Sequence, residues 1–342
     1  MDTITQGLLG AVTAQLGFRQ KIGRDASWVA AGSAVLADLD ILARPLLSIS
    51  GQEGDDFVNL VIHRGINHSL LMVPVLALVV SYFWWYFRKK SVSFAMLYTC
   101  VFIAMLSHPL LDWCTTYGTQ LFAPVTNRRY ALNVLPIVDF IYTPILIVTL
   151  TICYLVRKVK RNSAKITLNI GWTGLGLSLI YIFMGFLMRQ RAIQRMKHPE
   201  IFPDVKNAQN LSVDYHAYPQ IGSIFIWRGT KHHGQEWTVA RLNMWLKASA
   251  DGHHWNRVKN MDNQWIQAGW KLEEVKKFQW FAANQLRAVY YTQNSQHIVE
   301  FHDMRYGRPA ESVTSLWFVR VGFDAEGNLT NLERVNHFDR NY

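Results

Sequence analysis

The chain contains 342 residues with a formal net charge of +11, and hydrophobic residues make up 50% of it. This length allows two domains, and the long apolar runs fall within residues 1–188, whereas the chain from 190 to 342 is polar and rich in Trp. Many Lys and Arg residues follow apolar segments, where they anchor membrane helices, so the positive charge does not indicate nucleic-acid binding.

Two short segments at the start of the chain, Ile4–Phe18 and Ser27–Leu42, are rich in Gly and Ala. Small residues let helices approach closely, so both are predicted to be short helices that pack against a membrane bundle. The first residues lack the basic character of a cleavable signal peptide. Insertion into a membrane is therefore expected to depend on internal segments.

The next part of the chain carries four longer apolar segments, each of which is predicted to cross a membrane. They are Leu70–Phe87, Phe94–Leu111, Val134–Val156 and Ile166–Met188. By alternation, the basic clusters at 19–24, 88–90 and 157–165 share one side, which the positive-inside rule makes cytoplasmic. These features predict a multi-pass, lipid-contacting protein of the bacterial inner membrane.

From about residue 190 the sequence changes to short β-branched and aromatic stretches separated by polar turns, such as Ser223–Trp227, Gln279–Phe281 and Ser315–Val321. We predict an α+β domain with an antiparallel sheet over residues 190–342, on the extracytoplasmic side. The predicted fold is thus an α-helical membrane bundle over residues 1–189, with four spans and two short N-terminal helices, followed by this soluble domain.

Cysteine is scarce in both parts of the chain. The three cysteines, Cys100, Cys114 and Cys153, lie in or beside apolar segments and show no CxxC spacing. Such residues are typical of small apolar side chains within a bundle. We therefore expect neither a disulfide partner nor a zinc ribbon.

Ionisable residues gather at the segment ends that lie opposite the basic clusters. Because the spans alternate, these residues are predicted to meet at one membrane face, the extracytoplasmic one. Ionisable groups at membrane depth are costly, so their convergence indicates a functional site. The residues are Asp38, Asp40, His63, His68, His108, Asp112 and Asp139.

His108 and Asp112 are four residues apart, which places both side chains on one face of a helix. Imidazole and carboxylate together suit Zn²⁺ or Mn²⁺. The other interpretation is a His–Asp hydrogen bond that joins two helices. We favour a metal site that contains both residues.

His63 and His68 are five residues apart, so one helix face cannot present both, and a turn at Gly65 is needed to bring them together. Both are predicted metal ligands. Arg64 lies between them, and its guanidinium is suited to a phosphate or carboxylate oxygen of a substrate. Alternatively, Arg64 only anchors the chain at the membrane surface.

Asp38 and Asp40 supply two carboxylates after the second small-residue segment, and their spacing points them apart. We predict Asp40 as the metal ligand and Asp38 as a proton acceptor or a residue that orients a ligand histidine. Asp139 begins an apolar run. It is interpreted as a second candidate base or ligand, or as a charge partner of Arg128 or Arg129.

These stretches together resemble the YdjM-type membrane-bound metal-dependent hydrolases, a family of bacterial inner-membrane proteins. The matching stretches are Asp2-Thr3-Ile4-Thr5-Gln6-Gly7 with Gly10, Asp38-Leu39-Asp40, His63-Arg64-Gly65 with His68-Ser69, His108-Pro109-Leu110-Leu111-Asp112, Tyr117-Gly118-Thr119-Gln120, and Asp139 with Tyr142. Many members carry His where this chain has Gln6. Either one ligand is missing here, or Gln6 only forms hydrogen bonds to the site.

The family is distantly similar to zinc-dependent phospholipase C and the S1/P1 nucleases. This resemblance implies hydrolysis of a phosphoester, lipid-linked or phospholipid-like, by water activated on one or two divalent ions, with Zn²⁺ favoured over Mn²⁺. The alternative is a non-catalytic membrane protein, in which a structural metal or a His–Asp network joins helices and the outer domain binds a partner. A transporter is less favoured, because the ionisable groups gather at one face rather than at mid-depth.

Overall fold

The computed structural model describes residues 1–43, 57, 60, 62–88, 91–160, 162–197, 214–246 and 255–336. The side chains of residues 40–43, and with them that of Asp40, lie outside the described part. The basic residues at 89, 90 and 161 also lie outside it. The chain forms two compact units, one of residues 1–54, 62–186 and 221–223 and the other of 55–61, 187–220 and 224–342.

The first unit is helical. Its helices are α1 (Thr3–Ala14), α2 (Phe18–Ile22), α3 (Ala26–Val35), α4 (Val73–Phe87), α5 (Phe94–Trp113), α6 (Tyr142–Val159) and most of α7 (Ala164–Met196). Two 3₁₀ helices, Leu36–Ala43 and Ile66–His68, also lie in this unit. The first of these continues directly from α3, and the second precedes α4.

A capping carboxylate satisfies the start of helix α1, and small residues along the helix allow it to pack closely against its neighbour. The Asp2 carboxylate accepts a hydrogen bond from the backbone N–H of Thr5 at 2.9 Å, which satisfies a first-turn donor. A Cβ on Gly10 would lie only 2.6 Å from the carbonyl oxygen of Ala30. The small residues therefore allow α1 to pack directly against α3, as the sequence indicates.

Three helices in the described part are long and apolar enough to cross a membrane: α5, α6 and α7. Helix α4 has 15 residues, which is about 22 Å at about 1.5 Å per residue, against roughly 30 Å of hydrocarbon. It begins at Val73 because Pro74 favours the first turn of a helix, and Ser69–Met72 form a turn before it. The predicted count of four spans is thus not confirmed.

The second unit contains two four-stranded antiparallel sheets, each with strands in sequence order. Strands β1 (Asp214–Pro219), β2 (Ile226–His233), β3 (Glu236–Asn243) and β4 (Trp255–Lys259) form the first. Strands β5 (Leu286–Gln293), β6 (Gln296–Asp303), β7 (Trp317–Phe323) and β8 (Leu329–Asn336) form the second. Helices α8 (Gln264–Lys271) and α9 (Glu273–Phe281) connect them, so the predicted antiparallel domain is confirmed.

One of the strands predicted for this unit is a helix in the structure. Gln279–Phe281 ends helix α9, whose residues Val275, Phe278 and Phe281 are buried at helical spacing. Glu273 and Glu274 in the first turn favour the start of a helix there. The aromatic residues indicated a buried segment correctly, but their period was that of a helix.

Candidate metal centre

Two histidines and two aspartates meet inside the helical unit. His108 and Asp112 lie one turn apart near the end of α5, while His68 ends the second 3₁₀ helix and Asp38 lies in the first. The side chains of His68, His108 and Asp112 are 0% exposed and that of Asp38 is 9% exposed. The structure therefore buries all four ionisable groups together.

The Nε2 atoms of both histidines point toward the two carboxylates. His108 Nε2 lies 3.3 Å from Asp38 Oδ1 and 3.5 Å from Asp112 Oδ2. His68 Nε2 lies 3.4 Å and 3.6 Å from the same two oxygens. Ligand atoms held tetrahedrally at bond lengths of about 2.0–2.2 Å are about 3.3–3.6 Å apart. The spacing of each nitrogen from each oxygen is thus that of ligands around one ion.

The hydrogen bonds around the site leave both Nε2 atoms unengaged. In the described part of the chain, Nε2 of His68 and Nε2 of His108 are buried without a hydrogen-bond partner, and Oδ2 of Asp112 is ion-paired with Nε of Arg64 at 3.0 Å. Nδ1 of His108 lies 2.5 Å from the carbonyl oxygen of Ala34, which requires a proton on Nδ1, so in the neutral ring the lone pair is on Nε2. A lone pair that faces a carboxylate is unfavourable unless a cation or a proton lies between them.

The residues present suit a divalent cation. The ligand atoms of Asp38, His68 and His108 all lie within 4.8 Å of one another. Burial lowers the pKa of His68 to about 4, so its imidazole is neutral and able to donate a lone pair. Burial opposes ionisation of Asp38, but the nearby rings of His108 and His68 and a hydrogen bond from Thr3 Oγ1 at 2.7 Å hold its pKa below the usual range.

Asp112 is positioned by three nitrogen groups. Nε of Arg64 lies 3.0 Å from Oδ2, and Nε2 of Gln6 donates to Oδ1 at 3.0 Å. The α-amino group of Met1 also contacts Oδ1. These contacts neutralise the charge of a buried carboxylate and fix its orientation. Gln6 also lies 3.4 Å from the backbone oxygen of His108, and it therefore forms hydrogen bonds to the site.

A family model described as YdjM inner membrane protein matches residues 1–192, which include every residue of this site. The match covers more than half of the 342 residues. The chain belongs to the YdjM inner membrane protein family. This confirms the resemblance inferred from the sequence and, with the three apolar helices, identifies a membrane protein. No curated protein and no solved structure matches the chain.

His63 lies at the half-buried edge of the YdjM-family site. Its ring centroid is 5.8 Å from that of His68 and 5.6 Å from that of Tyr117. The guanidinium groups of Arg64 and Arg129 lie 4.5 Å and 5.0 Å from the Tyr117 ring centroid. Arg64 also donates to Thr115 Oγ1 at 3.0 Å and is buried, whereas Arg129 is half-buried. The edge of the site is therefore basic and aromatic.

Asp139 has a local role in the structure. Its Oδ1 accepts hydrogen bonds from the backbone N–H groups of Ile141 and Tyr142 at 2.8 and 2.9 Å, and Tyr181 donates to both oxygens. Burial raises the pKa of Asp139. It thus caps α6, and this cap explains why the helix begins at Tyr142 rather than near Val134.

The sequence reasoning did not assign Thr3 or Met1 to the site, and it gave Asp38 a supporting role. Thr3 and Gln6 stand three residues apart at the start of α1, which is a spacing that places both on one helix face. This spacing is the feature of the sequence that could have placed Thr3 beside Gln6 at the site. The prediction of Asp40 as a ligand concerns a side chain outside the described residues.

Proposed function

We propose that this YdjM-family protein is a membrane-bound metal-dependent hydrolase, with a divalent cation, Zn²⁺ before Mn²⁺, held by His68, His108 and Asp38. One observation carries the proposal: two buried Nε2 atoms without hydrogen-bond partners in the described part lie 3.4 and 3.3 Å from one carboxylate oxygen. Two histidines and one carboxylate are a ligand set of catalytic zinc sites, which keep a fourth position for water.

The chemistry follows from this ligand set. A bound divalent cation would supply a water molecule whose pKa is lowered toward neutrality. Asp112 Oδ2, 3.5 and 3.6 Å from the two Nε2 atoms, is placed to accept a hydrogen bond from that water and to orient it. Arg64 and Gln6 keep the carboxylate in that orientation.

We propose a phosphoester as the substrate class, lipid-linked or phospholipid-like. The half-buried edge formed by His63, Tyr117 and Arg129 supports this choice, because an Arg guanidinium and an imidazole are suited to phosphate oxygens. Arg64 contacts Asp112 and Thr115, which fits a positioning role. The membrane setting favours a substrate that approaches within the lipid layer.

The test combines metal analysis with hydrolysis by detergent-purified protein. We expect about one equivalent of metal in the wild type, and loss of most of it in His68→Ala and His108→Ala. His233→Ala, at the end of β2, is the matched control and should retain metal. The hydrolysis probes are para-nitrophenyl phosphate and bis-para-nitrophenyl phosphate. A wild-type protein without metal after purification and after Zn²⁺ loading would overturn the proposal.

A structural metal is the second candidate, favoured by the low exposure of the four residues, between 0 and 9%. In that case Asp112 would complete a closed set of four ligands from separate segments. Removal of metal by a chelator would then lower the melting temperature, with no hydrolysis before or after reloading. Hydrolysis that depends on added Zn²⁺ and is lost in Asp112→Asn would favour the enzyme instead.

A further inference from the structure

A basic cavity of about 620 Å³ lies in the helical unit, away from the histidine–aspartate site. Gln15, just after α1, lines it, whereas Thr3 and Gln6 at the start of the same helix contact the metal centre. Arg157, near the end of α6, also lines it, whereas α6 begins beside Asp139. The cavity and the metal centre are therefore at opposite ends of α1.

The lining of this cavity is strongly cationic. Arg19, Arg24, Arg157 and Lys158 all contribute to it, and no Asp or Glu is among its described lining residues. Asp25 lies next to Arg24 in the chain, but its carboxylate pairs with Arg88 at 2.7 Å. The positive charge of the cavity is thus not neutralised within it.

The two inner arginines form hydrogen bonds only with neutral groups in the described part of the chain. Arg19 donates to Ser27 Oγ at 3.1 Å and to the backbone oxygen of Arg24 at 3.3 Å. Arg157 donates to Oε1 of Gln15. Burial and the nearby charge of Arg24 lower the pKa of Arg19. Asp25 offsets this in part at Arg19, but its carboxylate is paired with Arg88, and an anion in the cavity would further relieve the repulsion between the partly buried arginines.

The position of the cavity matches a membrane surface. Arg157 and Lys158 close α6, and Ser163 and Ala164 open α7, so the cavity lies where two candidate spans end. Tyr154, which is 62% exposed, also lines it, and such aromatic residues are typical of the interface. The first backbone N–H groups of α7 add positive partial charge at the same place.

We propose that this cavity binds a phosphate group at the membrane surface, with an anionic phospholipid headgroup as its source. Basic residues at helix ends often serve only to orient a membrane protein. Here two of the four are half-buried in a concave site beside amide and hydroxyl groups, which is the chemistry that recognises phosphate oxygens. The site does not depend on hydrolysis at the metal centre.

Matched pairs of variants test the proposal. Arg24→Gln with Lys158→Gln removes two exposed cavity charges, and Lys160→Gln with Lys165→Gln removes two exposed charges nearby that do not line the cavity. A third variant, Arg19→Gln with Arg157→Gln, removes the inner pair. Binding is followed on the full chain in neutral detergent by the melting temperature during titration with phosphatidylglycerol, phosphatidylcholine or inorganic phosphate.

We expect phosphatidylglycerol to stabilise the wild type and the Lys160/Lys165 variant equally, and phosphatidylcholine to have little effect. The Arg24/Lys158 variant should bind about tenfold more weakly, as for the loss of roughly one charge-assisted hydrogen bond. Saturation by inorganic phosphate alone would support the phosphate site and assign it to a soluble anion. Equal weakening in the Lys160/Lys165 variant, or no binding at all, would overturn the proposal, even where the Arg19/Arg157 variant fails to fold.

Discussion

His108 Nε2 lies 3.3 Å from Oδ1 of Asp38, while Nδ1 of the same ring lies 2.5 Å from the carbonyl oxygen of Ala34. Ala34 and Asp38 belong to one continuous segment, because the 3₁₀ helix that carries Asp38 follows α3 directly. The backbone thus holds a proton on Nδ1, and the carboxylate faces Nε2, which carries the lone pair in the neutral ring. A site of this kind needs a cation or a proton at its centre.

Asp38→Asn and Asp40→Asn form a matched pair that tests which carboxylate binds the ion. We expect Asp38→Asn to lose most of the bound metal, because Oδ1 of Asp38 is the oxygen that both Nε2 atoms approach. Asp40→Asn should retain near-wild-type metal content. Metal per chain, measured by mass spectrometry on purified protein, gives the answer. The opposite result would assign the ligand role to Asp40, as the sequence analysis predicted.

Asp112→Asn should destabilise the metal-free protein. The substitution removes the negative charge that faces Arg64 at 3.0 Å and leaves the guanidinium buried without a counter-charge from Asp112. Breaking a buried pair in this way costs about 3–5 kcal/mol. Chemical unfolding of the chelator-treated protein measures the loss. The double variant Arg64→Met with Asp112→Asn should recover part of it, and no recovery would show that Arg64 is not the main partner.

Much of the site was predictable because it depends on local spacing and on alternation. His108 and Asp112 share a helix face at four residues apart, and both lie in the described cluster. His68 joins them because the chain turns between Gly65 and Ser69 just before α4. The alternation of apolar segments also indicated that these distant residues lie at one end of the bundle, as they do in the helical unit.

The rest depended on contacts that spacing does not determine. The chain changes from an α-helix to a 3₁₀ helix at Leu36, which rotates the residues that follow, so the sequence could not show that Asp38 turns inward. Asp139 is a candidate base by sequence, but its carboxylate accepts hydrogen bonds from the backbone N–H groups of Ile141 and Tyr142 at the start of α6. Gln6 donates a hydrogen bond to Asp112, which is distant from it along the chain, so the sequence alone does not reveal this contact.

Gly10→Ala should disturb the site through packing. An added Cβ would lie 2.6 Å from Ala30 O and 2.7 Å from the Ala34 Cβ, so α1 must move away from α3. Overpacking of this kind costs about 1–3 kcal/mol. Gly32→Ala on α3 is the control, because nothing lies within 4 Å of its Cβ, and it should gain about 0.5–1 kcal/mol. The free energies of unfolding of both variants test this prediction. Equal changes in the two variants would contradict it.

Glu300→Gln should make the second unit less stable near neutral pH and less sensitive to acid. Although burial opposes ionisation of Glu300, hydrogen bonds with His302, Arg320 and Tyr291 lower its pKa to about 2. In the unfolded chain its pKa is about 4.3, so its stabilising contribution is present above that pH and is lost as the pH falls toward 2. We expect the variant to lose about 2 kcal/mol at pH 7 and little at pH 2.

The control for Glu300 is Glu333→Gln, which alters a second partner of the same arginine. Glu333 lies 3.0 Å from Nη1 of Arg320, but its side chain is 44% exposed. Exposed ion pairs contribute about 0–1 kcal/mol, so this variant should stay close to the wild type. Chemical unfolding of the full chain in detergent, followed by Trp fluorescence from pH 2 to 7, compares them. A constant difference between Glu300→Gln and wild type across this range would rule out ionisation of Glu300 as the cause.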